Sequence, residues 1–220
     1  MKKLSGLFAM ALLFTAVTFA QLKEGTIVYI MELPNMPPEQ AAMMGNMETV
    51  ISIKNDKTRT ETSTPFYSNV TITDNKTKDV VTLMDMPMMG KKYLIRSKIE
   101  EPKDKKAEGE VKVKQLNDKK TIAGYACTNA EVTWTSKDGK EFVTTVWYTK
   151  ELGVSYEAQF KGLNGVPMEY EFDSNGQKIK MTCKSFSKEP VSDSKFEIPT
   201  SGYEEKTQKE MEEMYKGMGK

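Results

Sequence analysis

The sequence predicts a mainly β protein: an antiparallel meander of about ten or eleven strands, curved into an incomplete (half) β-barrel. Three observations carry this. Apolar and polar residues alternate with period two along most of the chain after Thr26. Turn-forming dipeptides such as Asp138-Gly139 and Asn175-Gly176 separate the alternating runs. Only two segments break the rhythm, and they predict a short helix after the first strand and a second at the C-terminus.

The first element is a leader. Lys2 and Lys3, an apolar run from Leu4 to Phe19 and the small-residue exit Thr18-Phe19-Ala20 form a secretory signal peptide, cleaved after Ala20. No cysteine follows the run, so a lipid-anchored form is not expected, and no later stretch approaches the ~20 apolar residues of a membrane span. The expected product is soluble and periplasmic or secreted, with residues 21–202 as one half-barrel domain and 203–220 as a C-terminal helical tail.

Asn35 to Gly45 predicts the first helix, with Pro37 and Pro38 in its first turn and Gly45 at its end. Asp74-Asn75 and Asn117-Asp118 predict reversals, and Ser97 to Gly109 a charged loop. Val111 and Val113 alternate with lysines, and Ala130, Val132 and Trp134 repeat the pattern. Three further runs alternate in the same way: Val154-Tyr156-Ala158-Phe160, Met168-Tyr170-Phe172 and Ile179-Met181-Cys183. One apolar and one wetted face per strand is an antiparallel habit. Asn-Gly and Asp-Gly supply the positive φ of tight hairpins. The tail from Tyr203 to Lys216 carries a narrow apolar edge of Met211, Met214 and Tyr215.

Composition excludes several chemistries. Without the leader, 30 basic residues face 31 acidic ones, a balance that gives no reason to expect a nucleic-acid partner. The chain has no histidine, so no Ser-His or Cys-His nucleophile pair and no His-built zinc or copper site is available. An enzyme and a cofactor are therefore not expected. Cys127 and Cys183 are the only cysteines, and an oxidising compartment predicts a disulfide between them, worth roughly 4 kcal/mol on a chain-entropy account. Cys127 shares the parity of Glu131 and Thr133, so either a bulge lies between Cys127 and Ala130 or Cys127 sits on the outer face.

A large one-sided sheet must cover its apolar face, and two short helices are too few. A sandwich or a partly open barrel remains, and its lining is either core or the wall of a ligand cavity. Candidate lining residues are Val154, Tyr156, Phe160, Met168, Tyr170 and Phe172. The methionines form two groups: Met43, Met44 and Met47 beside the first helix, and Met84, Met86 and Met88 further on. Methionine suits adaptable apolar surfaces, and thioethers also suit Cu(I). No metal ligand set is assigned.

Three blocks carry a family resemblance: Gly124-Tyr125-Ala126-Cys127, Val146-Trp147-Tyr148-Thr149 and Phe160-Lys161-Gly162-Leu163-Asn164-Gly165-Val166-Pro167. In order and spacing they resemble the Gly-Tyr-Lys-Cys, Trp-Tyr-Thr and Gly-Leu-Pro-Gly-Leu-Ile blocks of the secreted GLPGLI family of Gram-negative bacteria. Asn164 stands for Pro, Val166-Pro167 for Leu-Ile and Leu152-Gly153 for Ile-Pro, so the chain looks closer to a sibling secreted family known only as a domain of unknown function. The resemblance implies an architecture similar to the periplasmic lipoprotein carriers (LolA/LolB-like), incomplete barrels with helices over the opening, and implies no catalytic residue. The resulting expectation is a non-enzymatic binding protein for a lipid, an acyl chain or a lipidated protein. Its rivals are a structural or interaction module of the envelope, a Met-based Cu(I) carrier and a carboxylate- or Tyr-based hydrolase.

Overall fold

The computed structural model describes residues 23–45, 47–64, 67–99, 111–135, 141–152, 160, 162–174 and 176–218. The leader, most of the charged loop, the Asp138-Gly139 turn and the strand expected over Val154–Phe160, except Phe160 itself, lie outside them. In chain order the elements are β1 (Glu24–Glu32), α1 (Pro38–Met44), β2 (Met47–Lys54), β3 (Lys57–Ser63), β4 (Ser68–Asp74), β5 (Asp79–Met86), β6 (Lys91–Lys98), β7 (Val111–Ile122), β8 (Tyr125–Thr135), β9 (Glu141–Thr149), β10 (Val166–Ser174), β11 (Gln177–Ser187), β12 (Glu204–Lys206) and α2 (Gln208–Met218).

All twelve strands belong to one sheet in the order β12-β6-β5-β4-β3-β2-β1-β11-β10-β9-β8-β7. Every pairing is antiparallel except β12 against β6. The sheet is open and curled. The curl is visible where Tyr125 on β8 meets Phe186 on β11, three strands away, with ring centroids 6.3 Å apart. This is the incomplete barrel that the alternation predicts. The additional strand, β12, comes from the segment expected to be helical tail, and α2 starts only at Gln208.

The hairpins show why the chain reverses where it does. Ser174 pairs with Gln177 across a two-residue turn in which Gly176 holds φ 80°. Asp74 Oδ1 accepts the amides of Lys76 and Thr77 and closes the β4–β5 turn. Asn117-Asp118 is not a reversal. It lies inside β7 at a register shift between Gln115 and Lys119, and the chain turns instead at Ala123-Gly124, with φ of 49° and 83°. The same irregularity resolves the parity of Cys127. Asn129 and Ala130 are both buried, so the inward face changes between them, and Cys127 lies in the core.

The sheet has two cores on opposite faces. The larger one gathers Ile27, Tyr29, Ile51, Ile53, Val146, Tyr148, Met168 and Met181. Directly paired residues of an antiparallel ladder share a face. Ile51 is paired through Thr60 and Thr71 to Thr82, so beyond β2 this face is lined by threonine. On β4–β6 the apolar residues Ile72, Val81, Leu83 and Leu94 point the other way, beneath the segment carrying Val191, Phe196 and Ile198. That segment is fastened by Lys54 Nζ to the Val191 carbonyl (2.8 Å) and the Asp193 carboxylate (2.8 Å), and by Arg59 to the Lys195 carbonyl (2.9 Å). β2 is the changeover, with Ile51, Ser52 and Ile53 all buried.

Gly165, just before β10, has no room for a side chain: a Cβ there would lie 2.5 Å from the Thr149 carbonyl oxygen and 2.7 Å from the Tyr148 ring. Gly165→Ala is expected to destabilise the fold by about 2–3 kcal/mol through overpacking. A lowered urea midpoint at unchanged slope checks it, and an unchanged midpoint contradicts the close approach.

Candidate functional site

A central strand normally bonds on both sides along its length. β10 does so toward β11, from Glu169 to Ser174, but toward β9 it pairs at only three positions among the described residues: Val166 with Thr149, Pro167 with Tyr148 and Glu169 with Trp147. The cause lies in the sequence. Pro167 has no amide proton to donate, and prolines in sheets sit at edges or bulges. Here the register shifts between Pro167 and Glu169, and the Pro167 carbonyl accepts the buried Tyr29 hydroxyl at 2.7 Å. Beyond Glu169 no further ladder pair with β9 follows among the described residues. The opening there is crossed by Thr144 Oγ1, which donates to the Glu171 carbonyl at 2.6 Å.

The opening is a cleft of about 390 Å³. Its walls are aromatic: Trp134 and Phe142 stack with centroids 5.5 Å apart, Tyr170 and Phe172 stack at 6.1 Å, and Trp147 closes the inner end. Glu169, Glu171, Asp173 and Lys178 complete the lining. Lys120 lies 4.2 Å from the Trp147 ring centroid and 2.7 Å from Glu169, so a cation already rests between an indole face and a carboxylate in this wall. Glu171 also lines a second cleft, of about 580 Å³, whose apolar walls are Ile30, Met31, Leu33, Ala41 of α1 and Met47.

The predicted lining residues divide accordingly. Tyr170 and Phe172 line the aromatic cleft, and Met47 lines the one beside α1. Phe160 and Met168 are packed in the core, Phe160 edge-on to Tyr170 at 4.9 Å. Met84 and Met86 are half-buried on β5, three strands from β2, and Met88 is 79% exposed, so they do not share a wall with Met47. Val154, Tyr156 and the side chains of Met43 and Met44 lie outside the described residues. Trp134, Phe142 and Trp147 were not among the residues predicted to bind. The signal for Trp134 and Phe142 was their placement opposite one another across the β8–β9 hairpin.

The disulfide expected from the compartment is not present: Cys127 and Cys183 are buried free thiols. Their strands are separated by β9 and β10, and each thiol donates to a local carbonyl, Cys127 to Tyr125 and Cys183 to Ser185. Burial raises both pKa values, that of Cys183 to about 11, and the nearby Cys127 adds to the effect.

Residues 35–160, more than half of the chain, match the family described as Domain of unknown function (DUF4412). The chain belongs to this family. Its description names no activity, in keeping with the sibling family that the sequence resembles. No curated protein matches. Among solved structures, the DUF4412 chain is similar to PNGF-II, with 16% identity and a TM-score of 0.50, covering 87% of this chain and 33% of that one. The likeness is one of fold, and the chain spans about a third of that protein's length. LprF from Mycobacterium bovis also matches, at 12% identity and a TM-score of 0.32, over 79% of this chain and 89% of that one.

Two buried thiols with raised pKa values should resist alkylation in the folded protein at pH 8 and gain reactivity as the pH climbs toward 11. Both should label on denaturation without reductant. Mass spectrometry counts the adducts, and an unlabelled denatured chain that takes up two adducts only after reduction would show a bridge instead.

Proposed function

We propose that the protein is an exported, non-enzymatic binding protein that takes an apolar ligand at the mouth of its half-barrel. The observation that carries the reading is the split in the sheet. The β9–β10 ladder stops at Glu169, and an aromatic-walled cleft lies where it would otherwise continue. The adjoining cleft beside α1 extends the apolar surface across Glu171. Clefts of a few hundred Å³ with apolar walls and a few polar groups are the usual form of small-molecule sites. The open barrel also agrees with the carrier-like architecture that the family resemblance implies, and the leader read at residues 1–20 supports export.

The chemistry favours binding over catalysis. Glu169 is held by Lys120 and Lys180, and Glu171 by Lys178, so these carboxylates serve as ion-pair partners. An acyl chain or the lipid part of a lipidated protein fits the cleft beside α1, where Met31 and Met47 offer flexible thioether surface.

Nile red, a neutral apolar dye that brightens out of water, tests this with the purified chain. Saturable enhancement is expected, and Ile30→Glu or Ala41→Arg, each placing a charge on the α1 cleft wall, should weaken it about ten-fold or more. No enhancement, or enhancement that both substitutions leave untouched, refutes the reading.

A further inference from the structure

We infer that the aromatic cleft between β9 and β10 selects a positively charged head group, so that the ligand is a cationic amphiphile: an apolar chain or ring bearing an amine or quaternary ammonium. The inference rests on the proposed binding role and adds the charge of what is bound.

Three observations carry it. Aromatic faces attract cations through their quadrupole, most strongly when water is partly excluded, and indole is the best of them. The cleft is walled by two indoles and three other rings. Of its charged lining, Glu169 is paired with Lys120 and Lys180 and Glu171 with Lys178, which leaves Asp173 as the carboxylate of the cleft with no ion pair among the described residues, a place for a cation and not for a fatty-acid carboxylate. The wall also contains an internal example of the contact, since the Lys120 ammonium sits over Trp147 while pairing with Glu169. A ligand ammonium among these rings, within reach of Asp173 in the same lining, would repeat that arrangement. Because Glu171 belongs to both clefts, a head group held there leaves its chain directed to Ile30, Ala41 and Met47.

The chain has two tryptophans, Trp134 and Trp147, and both line this cleft, so its intrinsic emission reports on the site alone. Titration of the full chain with decyltrimethylammonium, decanol and decanoate, all below micellar concentrations, separates head-group charge at constant chain length. The ammonium is expected to bind about ten-fold more tightly than the alcohol, with the carboxylate weakest. In Glu171→Gln/Asp173→Asn the ammonium-to-alcohol ratio should fall to about three-fold or less. Equal binding of ammonium and alcohol by the natural sequence would overturn the charge selection while leaving the apolar site intact. Tighter binding of decanoate would reverse it. Failure of all three to move the emission would overturn both this inference and the proposed function.

Discussion

The structure turns on a proline in the middle of a sheet. Pro167 lies in β10, between β9 and β11, where successive residues would ordinarily bond to one neighbour and then the other. It brings no amide proton, and the strand answers with a bulge and with a hydrogen bond from Tyr29, which crosses the core from β1 to take the Pro167 carbonyl. Gly165 allows the chain to enter β10 against the Thr149 carbonyl. A buried donor–acceptor pair of this kind contributes only about 1 kcal/mol net, but leaving the carbonyl unpaired in the core would cost more. β10 is therefore fixed at its start, and its ladder with β9 ends at Glu169. The cleft is the consequence, and the aromatic side chains that line it cover what the missing ladder exposes.

The second constraint is the change of face at β2. One sheet serves two cores because Ile51 and Ile53 point to one side and Ser52 is buried on the other. A sheet as wide as this one could not bury a single apolar face with two short helices. The chain solves the problem by rolling one half onto itself, around Tyr29, Tyr148 and Met168, and by laying the segment around Val191 and Phe196 over the opposite face of the other half. The threonines of β3–β5 occupy the face left over, where Thr49 and Thr62 bond hydroxyl to hydroxyl at 3.0 Å. This division places both apolar clefts at the rolled half.

Fold class was legible because period-two alternation is a local property, and it marks β7, β8, β10 and β11 directly in the sequence. Asn175-Gly176 likewise names its own turn. What escaped depends on partners distant in sequence. The side on which Ile72 or Val81 is buried is decided by a segment more than a hundred residues later, and alternation is the same for either side. Asn117-Asp118 has turn composition, yet the ladder with β8 absorbs it as a bulge. The cysteine bridge followed from a compartment rule that carries no geometry: the two thiols share one core, yet each is free and donates to a local carbonyl of its own strand. Of the site, Tyr170 and Phe172 were visible as one face of a strand. The cleft itself was not, because it is the absence of pairing between β9 and β10. Its one sequence signal was Pro167 interrupting a run that otherwise reads as a central strand.

That absence of pairing is open to direct measurement by residue-resolved amide hydrogen exchange. In the free protein, amides of Val143–Val146 and Glu171–Phe172 that are bonded to neither β8 nor β11 should exchange readily, in contrast to the protected β10–β11 ladder. They should slow when an apolar ligand occupies the cleft. Protection equal to that of the β10–β11 ladder in the free protein would mean that β9 and β10 form an ordinary pair, and the account of the site would fail.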